Sequence, residues 1–295
     1  MMKTTAVTFD SSGTECSGAL YTDAETGVAS AVVLCPGFSG TQDTPALVAA
    51  ARAFANAGYA AMTFDYRRFG TSAGEPRQVA DLEEQLDDIR AAVAFARAHP
   101  GIDPDRIVLW GTSLGGGHVV TVAAGDARIA AVVAQVPFNG FPRRAEGRST
   151  RATLALLAVM VSDWLRGTFG LRPRYIPAVG LPGELAVMTG PQAHGTIAAM
   201  DSKTWRNSIA PRVLLQMMRY RPGRHAPDLR MPLLVCIAEH DRETVASGTT
   251  ELADRAPHAE LRSYPLSHFE IYQPEHRDEI LADQVDFLKR VLVTS

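Results

Sequence analysis

The chain is predicted to fold as an α/β protein with a mostly parallel central sheet covered by helices on both faces. Two observations carry this expectation. Short apolar runs alternate with longer helical stretches, and repeated strand-helix alternation places successive strands parallel in one sheet. At 295 residues and 46% hydrophobic content, the chain is also long enough to bury one large core.

Residues 4–9 and 17–21 alternate in polarity around Ser11-Ser12-Gly13, which predicts an antiparallel hairpin opening the sheet. Then follow a strand at 31–35, a helix at 45–57, a strand at 59–65, a helix at 79–98 and a strand at 106–111. Val79, Leu82, Leu86, Ile89 and Val93 have the spacing of one apolar helix face. Asp81, Glu83, Glu84, Asp87 and Asp88 are read as its solvated face. Further strands are expected at 129–136, 231–238 and 261–264.

The most informative stretch is Gly111-Thr112-Ser113-Leu114-Gly115, between the apolar run at 106–110 and a small-residue helix starting near Leu114. A strand that turns abruptly into a helix forces the residue at the turn into a strained conformation and needs small neighbours, here Gly111, Gly115 and Gly116. The turn lifts the Ser113 hydroxyl out of the sheet, at the positive end of the helix, which marks Ser113 as a nucleophile. Such a serine needs a base and an orienting acid, following it in the order acid, then histidine. Asp241, in the loop after the 231–238 run, is the candidate acid and Glu239 its rival. His268, beyond the last strand, is the candidate base. The glycine-bracketed turn Gly37-Phe38-Ser39-Gly40 leaves backbone amides free, so the N–H groups of Phe38 and Leu114 are the candidate oxyanion donors.

The other histidines have plainer readings. His99, His258 and His276 sit in polar surroundings, His118 is expected to be a hydrogen-bonded core residue, and His240 to support the site from beside Asp241. His194 and His225 fall where they could touch a substrate. No His or Cys pair has zinc-ligand spacing, so neither metal nor cofactor is expected.

Pro36-Gly37-Phe38, Asp65-Tyr66-Arg67 with Phe69-Gly70, Gly111 to Gly116, Asp241 and His268 together resemble the α/β-hydrolase superfamily along essentially the whole chain. The Pro-Gly-Phe-Ser-Gly and Asp-Tyr-Arg-x-Phe-Gly stretches are similar to the branch holding dienelactone-hydrolase-like enzymes, X-prolyl peptidase-like acylases and fungal polyketide transferases. A dienelactone hydrolase proper would carry cysteine at position 113, and a dehalogenase or epoxide hydrolase aspartate; serine disfavours the first and excludes the others.

The long interval before the 231–238 strand divides the chain into a catalytic domain, residues 1–138 and 229–295, and a helical cap, residues 139–228. Helices are expected at 151–166, 193–202 and 208–220. Met160, Met188, Met200, Met217 and Met218 lie in the cap, where methionine packs adaptably against apolar ligands. From Phe141 to Arg230 there are thirteen Arg and one Lys against five acidic residues, in a chain whose net charge is −3. Such a cap either pairs with an acidic body or offers an electropositive mouth, with Arg143, Arg148, Arg219 and Arg221, to a coenzyme A or acyl carrier protein thioester. Basic residues interleaved with apolar helices in a chain of acidic pI argue against nucleic acid.

The amino terminus has no basic segment leading into an apolar core, and three cysteines are an odd count, so a cytoplasmic protein with reduced thiols is expected. The most apolar helical stretch, at 154–164, is far short of the ~20 residues of a membrane span, so no membrane is expected. The expected activity is hydrolysis of esters or thioesters of apolar acyl groups, small-molecule substrates, through an acyl-Ser113 intermediate. Acyl transfer to an alcohol uses the same residues, a non-catalytic ligand receptor is the reading from another class, and a homodimer stays open.

Overall fold

The computed structural model describes residues 2–23, 28–141, 149–189 and 192–293. In chain order its elements are β1 (Met2–Ser11), β2 (Thr14–Asp23), β3 (Ala29–Cys35), α1 (Pro45–Asn56), β4 (Ala60–Phe64), α2 (Leu82–Ala98), β5 (Ile102–Thr112), α3 (Leu114–Ala124) and β6 (Ile129–Gln135). The segment that follows carries α4 (Thr150–Thr168), β7 (Val179–Gly180), β8 (Met188–Thr189), α5 (Ala193–Met200) and α6 (Val213–Met217). The chain then returns to the sheet through β9 (Leu233–Ala238), α7 (Ala246–Arg255), β10 (Ala259–Tyr264) and α8 (Pro274–Val293).

The sheet runs β1-β2-β4-β3-β5-β6-β9-β10. The β1–β2 hairpin pairs antiparallel and docks antiparallel on β4; all other pairings are parallel. Strand side chains alternate between faces, and each face buries its own cluster. Ala31, Val33 and Cys35 of β3 pack with α2, α3 and α7, whereas Val32 and Leu34 pack with α1 and α8. Helices on both faces explain why the central strands are apolar at every position and not at alternate ones.

Three sequence expectations are corrected. Helix α2 begins at Leu82, because Asp81 caps it by accepting from the amides of Glu83 and Glu84. Its Asp88 is not on a solvated face: it is wholly buried and accepts from Arg67 Nε at 2.8 Å and from the Arg67 amide at 2.9 Å. The helix expected at 208–220 shrinks to α6, because Pro211 precedes it and Pro222 and Gly223 follow in a short 3-10 turn.

The segment between β6 and β9 joins the core through buried apolar residues such as Ile209, Val213, Leu214 and Met217, and polar groups fasten it further. Gln78 Nε2 donates to the carbonyl of Ser208 (2.8 Å), Trp205 Nε1 to Ser39 Oγ (3.3 Å), and Asp43 accepts from Ser202 and Thr204 (2.7 Å each). Within the segment, buried Asp163 holds Arg212 and the amide of Arg174.

Candidate active site

Ser113 stands alone between β5 and α3 with φ 55° and ψ −121°, a conformation that costs a non-glycine residue energy and persists only where its surroundings enforce it. They do. A β-carbon on Gly111 would run into the Gly115 carbonyl, and one on Gly115 into the carbonyls of Cys35 and Pro36. The Ser113 amide donates to Gln135 O at 2.9 Å, and its carbonyl accepts from Phe138 N at 2.9 Å.

The loop after β3 crosses directly over this turn. A β-carbon on Gly37 would lie 3.2 Å from Ser113 Cβ and from the Thr112 carbonyl, so any other residue requires the turn to give by a few tenths of an ångström. Among the described residues neither the Phe38 nor the Leu114 amide has a hydrogen-bond acceptor. Asp65, a residue whose role here the sequence left unassigned, anchors that loop: buried at the end of β4, it accepts from the amides of Gln42 and Thr71 at 2.8 Å each. Burial raises its carboxyl and these bonds oppose the rise. A carboxylate closing an apolar strand was the available signal.

Asp241 and His268 meet where the loops after β9 and β10 converge. His268 Nδ1 donates to Asp241 Oδ2 at 2.7 Å, while Asp241 also accepts from the Glu243 and Thr244 amides and from Thr244 Oγ1. Burial alone would raise the Asp241 carboxyl, but His268 and the Thr244 bonds bring it down to about 2. Burial likewise pulls His268 down, and the Asp241 charge and hydrogen bond override it, leaving the imidazole above its ordinary value. Such a carboxylate fixes the tautomer and leaves Nε2 for the reacting proton.

Glu239, the rival acid, is exposed and accepts from Ser263 Oγ at 2.8 Å. His240 is exposed too, and its amide donates to the Leu266 carbonyl at 3.0 Å. His118 is the core residue foreseen, with no exposure and with Tyr220 and Gln85 as partners. His194 and His225 are exposed and do not line the cavity described next.

Ser113, Phe38 and His268 line one narrow cavity of about 80 Å³. Met188, Ala199 and Met200 contribute to its wall from the segment between β6 and β9, whereas Leu47, Ala50 and Leu281 contribute from α1 and α8. The apolar lining thus comes as much from the body as from the inserted segment. Ser113 Oγ has no hydrogen-bond partner among the described residues; catalytic bonds are often long without substrate and tighten when it binds. Of the four arginines expected at the mouth, Arg219 and Arg221 do not line the cavity, and Arg143 and Arg148 lie outside the described residues. The arginine that does line it is Arg277 of α8. Thr112, Gln135 and Tyr272, unassigned in the sequence, line it as well.

Among the described residues no three His, Cys, Asp or Glu side chains gather as metal ligands, no helix is long and apolar enough to cross a membrane, and Cys16, Cys35 and Cys236 are buried free thiols.

Comparison with known proteins finds relatives along almost the whole chain. The chain is 38% identical over 288 residues to the quorum-quenching protein AidA of Acinetobacter baumannii, covering 97% of this chain and 94% of that one. It is 27% identical to the polyketide transferase ATR5 of Stachybotrys chlorohalonatus, over 89% of each. The crystal structure of the α/β hydrolase GrgF from Penicillium superposes with a TM-score of 0.81 at 23% identity, covering 99% of each chain. Because the family model described as serine aminopeptidase, S33, also matches residues 27–272, the chain belongs to that family of α/β-hydrolase enzymes.

Proposed function

We propose that this enzyme cleaves esters or thioesters of apolar acyl groups through an acyl-Ser113 intermediate. The observation that carries the reading is the buried His268–Asp241 pair, joined at 2.7 Å, whose His268 lines the same cavity as a serine held at positive φ. In this mechanism His268 Nε2 takes the proton from Ser113 Oγ as the oxygen attacks the acyl carbon. The amides of Phe38 and Leu114 hold the resulting oxyanion, and each such donor is worth on the order of 3 kcal/mol. The tetrahedral species collapses, His268 gives its proton to the leaving group, and Asp241 remains ionised throughout. Water, deprotonated by His268, then releases the acid and restores the serine.

Residues 139–228 act as a cap over the catalytic body of residues 1–138 and 229–295, supplying Met188 and Met200 to the acyl pocket. Transfer to an alcohol in place of water is the second reading, favoured by the polyketide transferase named among the relatives. The three free thiols fit a reducing compartment such as the cytoplasm. A coenzyme A or carrier-protein thioester as donor, and a homodimer, rest on the sequence reading alone. The cap's positive charge makes the donor testable: kcat/KM for an anionic thioester should fall with salt while that for a neutral short ester stays flat, since exposed charges are screened within ~8 Å at physiological ionic strength.

Rates measured on esters and thioesters of graded acyl length, with and without added alcohol, test the whole reading. Turnover of neither class overturns it; ester formation outpacing hydrolysis selects transfer.

A further inference from the structure

Thr112, Gln135 and Tyr272 line the cavity of Ser113 and His268, and they are the near end of a chain of hydrogen bonds that begins at Trp110. Trp110 Nε1 donates to Gln284 Oε1 (2.8 Å), Gln284 Nε2 to Gln135 Oε1 (2.8 Å), and Gln135 Nε2 to Thr112 Oγ1 (3.2 Å). Thr112 Oγ1 lies 2.7 Å from the Tyr272 hydroxyl. Gln135 and Gln284 are buried.

An indole N–H donates and never accepts. It therefore turns the Gln284 oxygen toward Trp110 and its nitrogen toward Gln135, sets Gln135 in the same sense, and makes Thr112 an acceptor. The two hydroxyls at the end hold two protons and share one mutual bond. Whichever of them donates, the other's proton has no acceptor among the described residues. The second N–H of Gln135 is in the same position. One wall of a mostly apolar cavity, which Thr41, Thr44 and Arg277 also line, thus has a surplus of donors, whose polarity is set by Trp110 at the other end of the hydrogen-bond chain.

We infer that this wall selects acyl chains that carry their own oxygen, as a keto, hydroxyl or ether group, over plain alkyl chains of equal length. The Thr112–Tyr272 hydroxyl pair presents the donor, and Gln284 is a positioning residue that keeps the chain pointing toward the cavity. The inference rests on the acyl pocket proposed above and deepens it. Removing Gln284 frees the Gln135 amide to turn its oxygen toward Thr112. Thr112 then donates inward, Tyr272 donates to Thr112, and the surplus hydroxyl proton disappears.

The test is calorimetric binding of N-methyl amides, which resist hydrolysis whatever the nucleophile, in matched sets: one alkyl chain and its oxo and hydroxy analogues at successive positions. The full chain should bind at least one oxygenated member about tenfold more tightly than the alkyl amide, the scale of one net hydrogen bond. The double variant Thr112→Val/Tyr272→Phe, which removes both hydroxyls, and Gln284→Leu should each bring that ratio to about twofold or less. Melting curves establish that each variant is folded, and the double variant carries the test if Gln284→Leu is not. Equal binding of oxygenated and alkyl amides, no binding of any of them, or a ratio unchanged in Thr112→Val/Tyr272→Phe would overturn the inference. A retained oxygen preference with no turnover of the matching esters would sink the hydrolase reading and leave this one standing.

Discussion

Two histidines of this protein are almost equally buried, His118 at 0% and His268 at 3% exposure, and their surroundings drive them in opposite directions. His118 sits in α3 where the inserted segment packs on the body, between Gln85 Oε1 (3.1 Å) and the Tyr220 hydroxyl (2.9 Å). Both partners are neutral, so burial lowers its pKa to about 3 and the ring stays uncharged. His268 has a carboxylate on Nδ1, which reverses the effect of burial and raises its pKa. Burial itself therefore does not make a base. A fixed anion behind the ring does, because it stabilises the imidazolium that forms during proton transfer.

The sharpest way to break this comparison is to remove each ring. His268→Ala should lower kcat by several orders of magnitude, as loss of a triad member does, with about 10³-fold or more expected. His118→Leu should leave kcat within about threefold, since distant substitutions seldom reach the reacting atoms. Steady-state kinetics on one ester decide it, and a collapse of rate in His118→Leu with survival in His268→Ala would reverse the roles.

Removing the anion instead of the ring comes next. Asp241→Asn should cost on the order of 10²- to 10⁴-fold in kcat because the amide no longer fixes the productive tautomer. A variant carrying Glu239→Gln should match the parent, as among the described residues the Glu239 carboxylate bonds only Ser263.

Stability should rank the two sites the other way. His118→Leu strands the Gln85 oxygen in a buried seam and leaves the Tyr220 hydroxyl with Thr121 Oγ1 at 2.9 Å, at a cost of about 1–3 kcal/mol read from urea denaturation.

The smallest effects are in pH. His268 must be neutral to act as a base, so kcat/KM should rise through an acidic limb lying above the ordinary histidine value, while Asp241, at about 2, stays ionised across that range. Because its folded pKa is raised, His268 contributes stability that is present below the unfolded pKa and lost as pH rises through the folded one. His118 has the opposite sign: its lowered pKa gives stability above the unfolded value of about 6.5 that is lost as pH falls toward 3. Unfolding between pH 7 and 4 should therefore show a shallower acid loss in His118→Leu than in the parent.

Much of this was legible in the sequence, for definite reasons. Ser113 was marked by glycines that steric contact demands, and Asp241 and His268 by their places after consecutive apolar strands. His118 could be read as core from its spacing within α3. What escaped depends on distances between elements remote in sequence. Asp88 looked solvated because its helix is studded with acids, yet Glu84 and Asp88 are four residues apart on one face and meet Arg68 and Arg67. The signal there was the spacing. Gln135 and Gln284 offered only a polar residue inside an apolar pattern, and nothing in the sequence joins them to Trp110. The cap arginines were legible as charge but not as position, and the arginine on the cavity, Arg277, comes from α8.

The central claim is that His268, with Asp241 behind it, activates Ser113. Intact-mass and peptide analysis after reaction with a fluorophosphonate tests it most directly. The account predicts a single adduct on Ser113, absent in Ser113→Ala, slowed by at least ~10²-fold in His268→Ala, and formed at the parental rate in His118→Leu. An adduct on another residue, or labelling of Ser113 that survives His268→Ala at full rate, would contradict it.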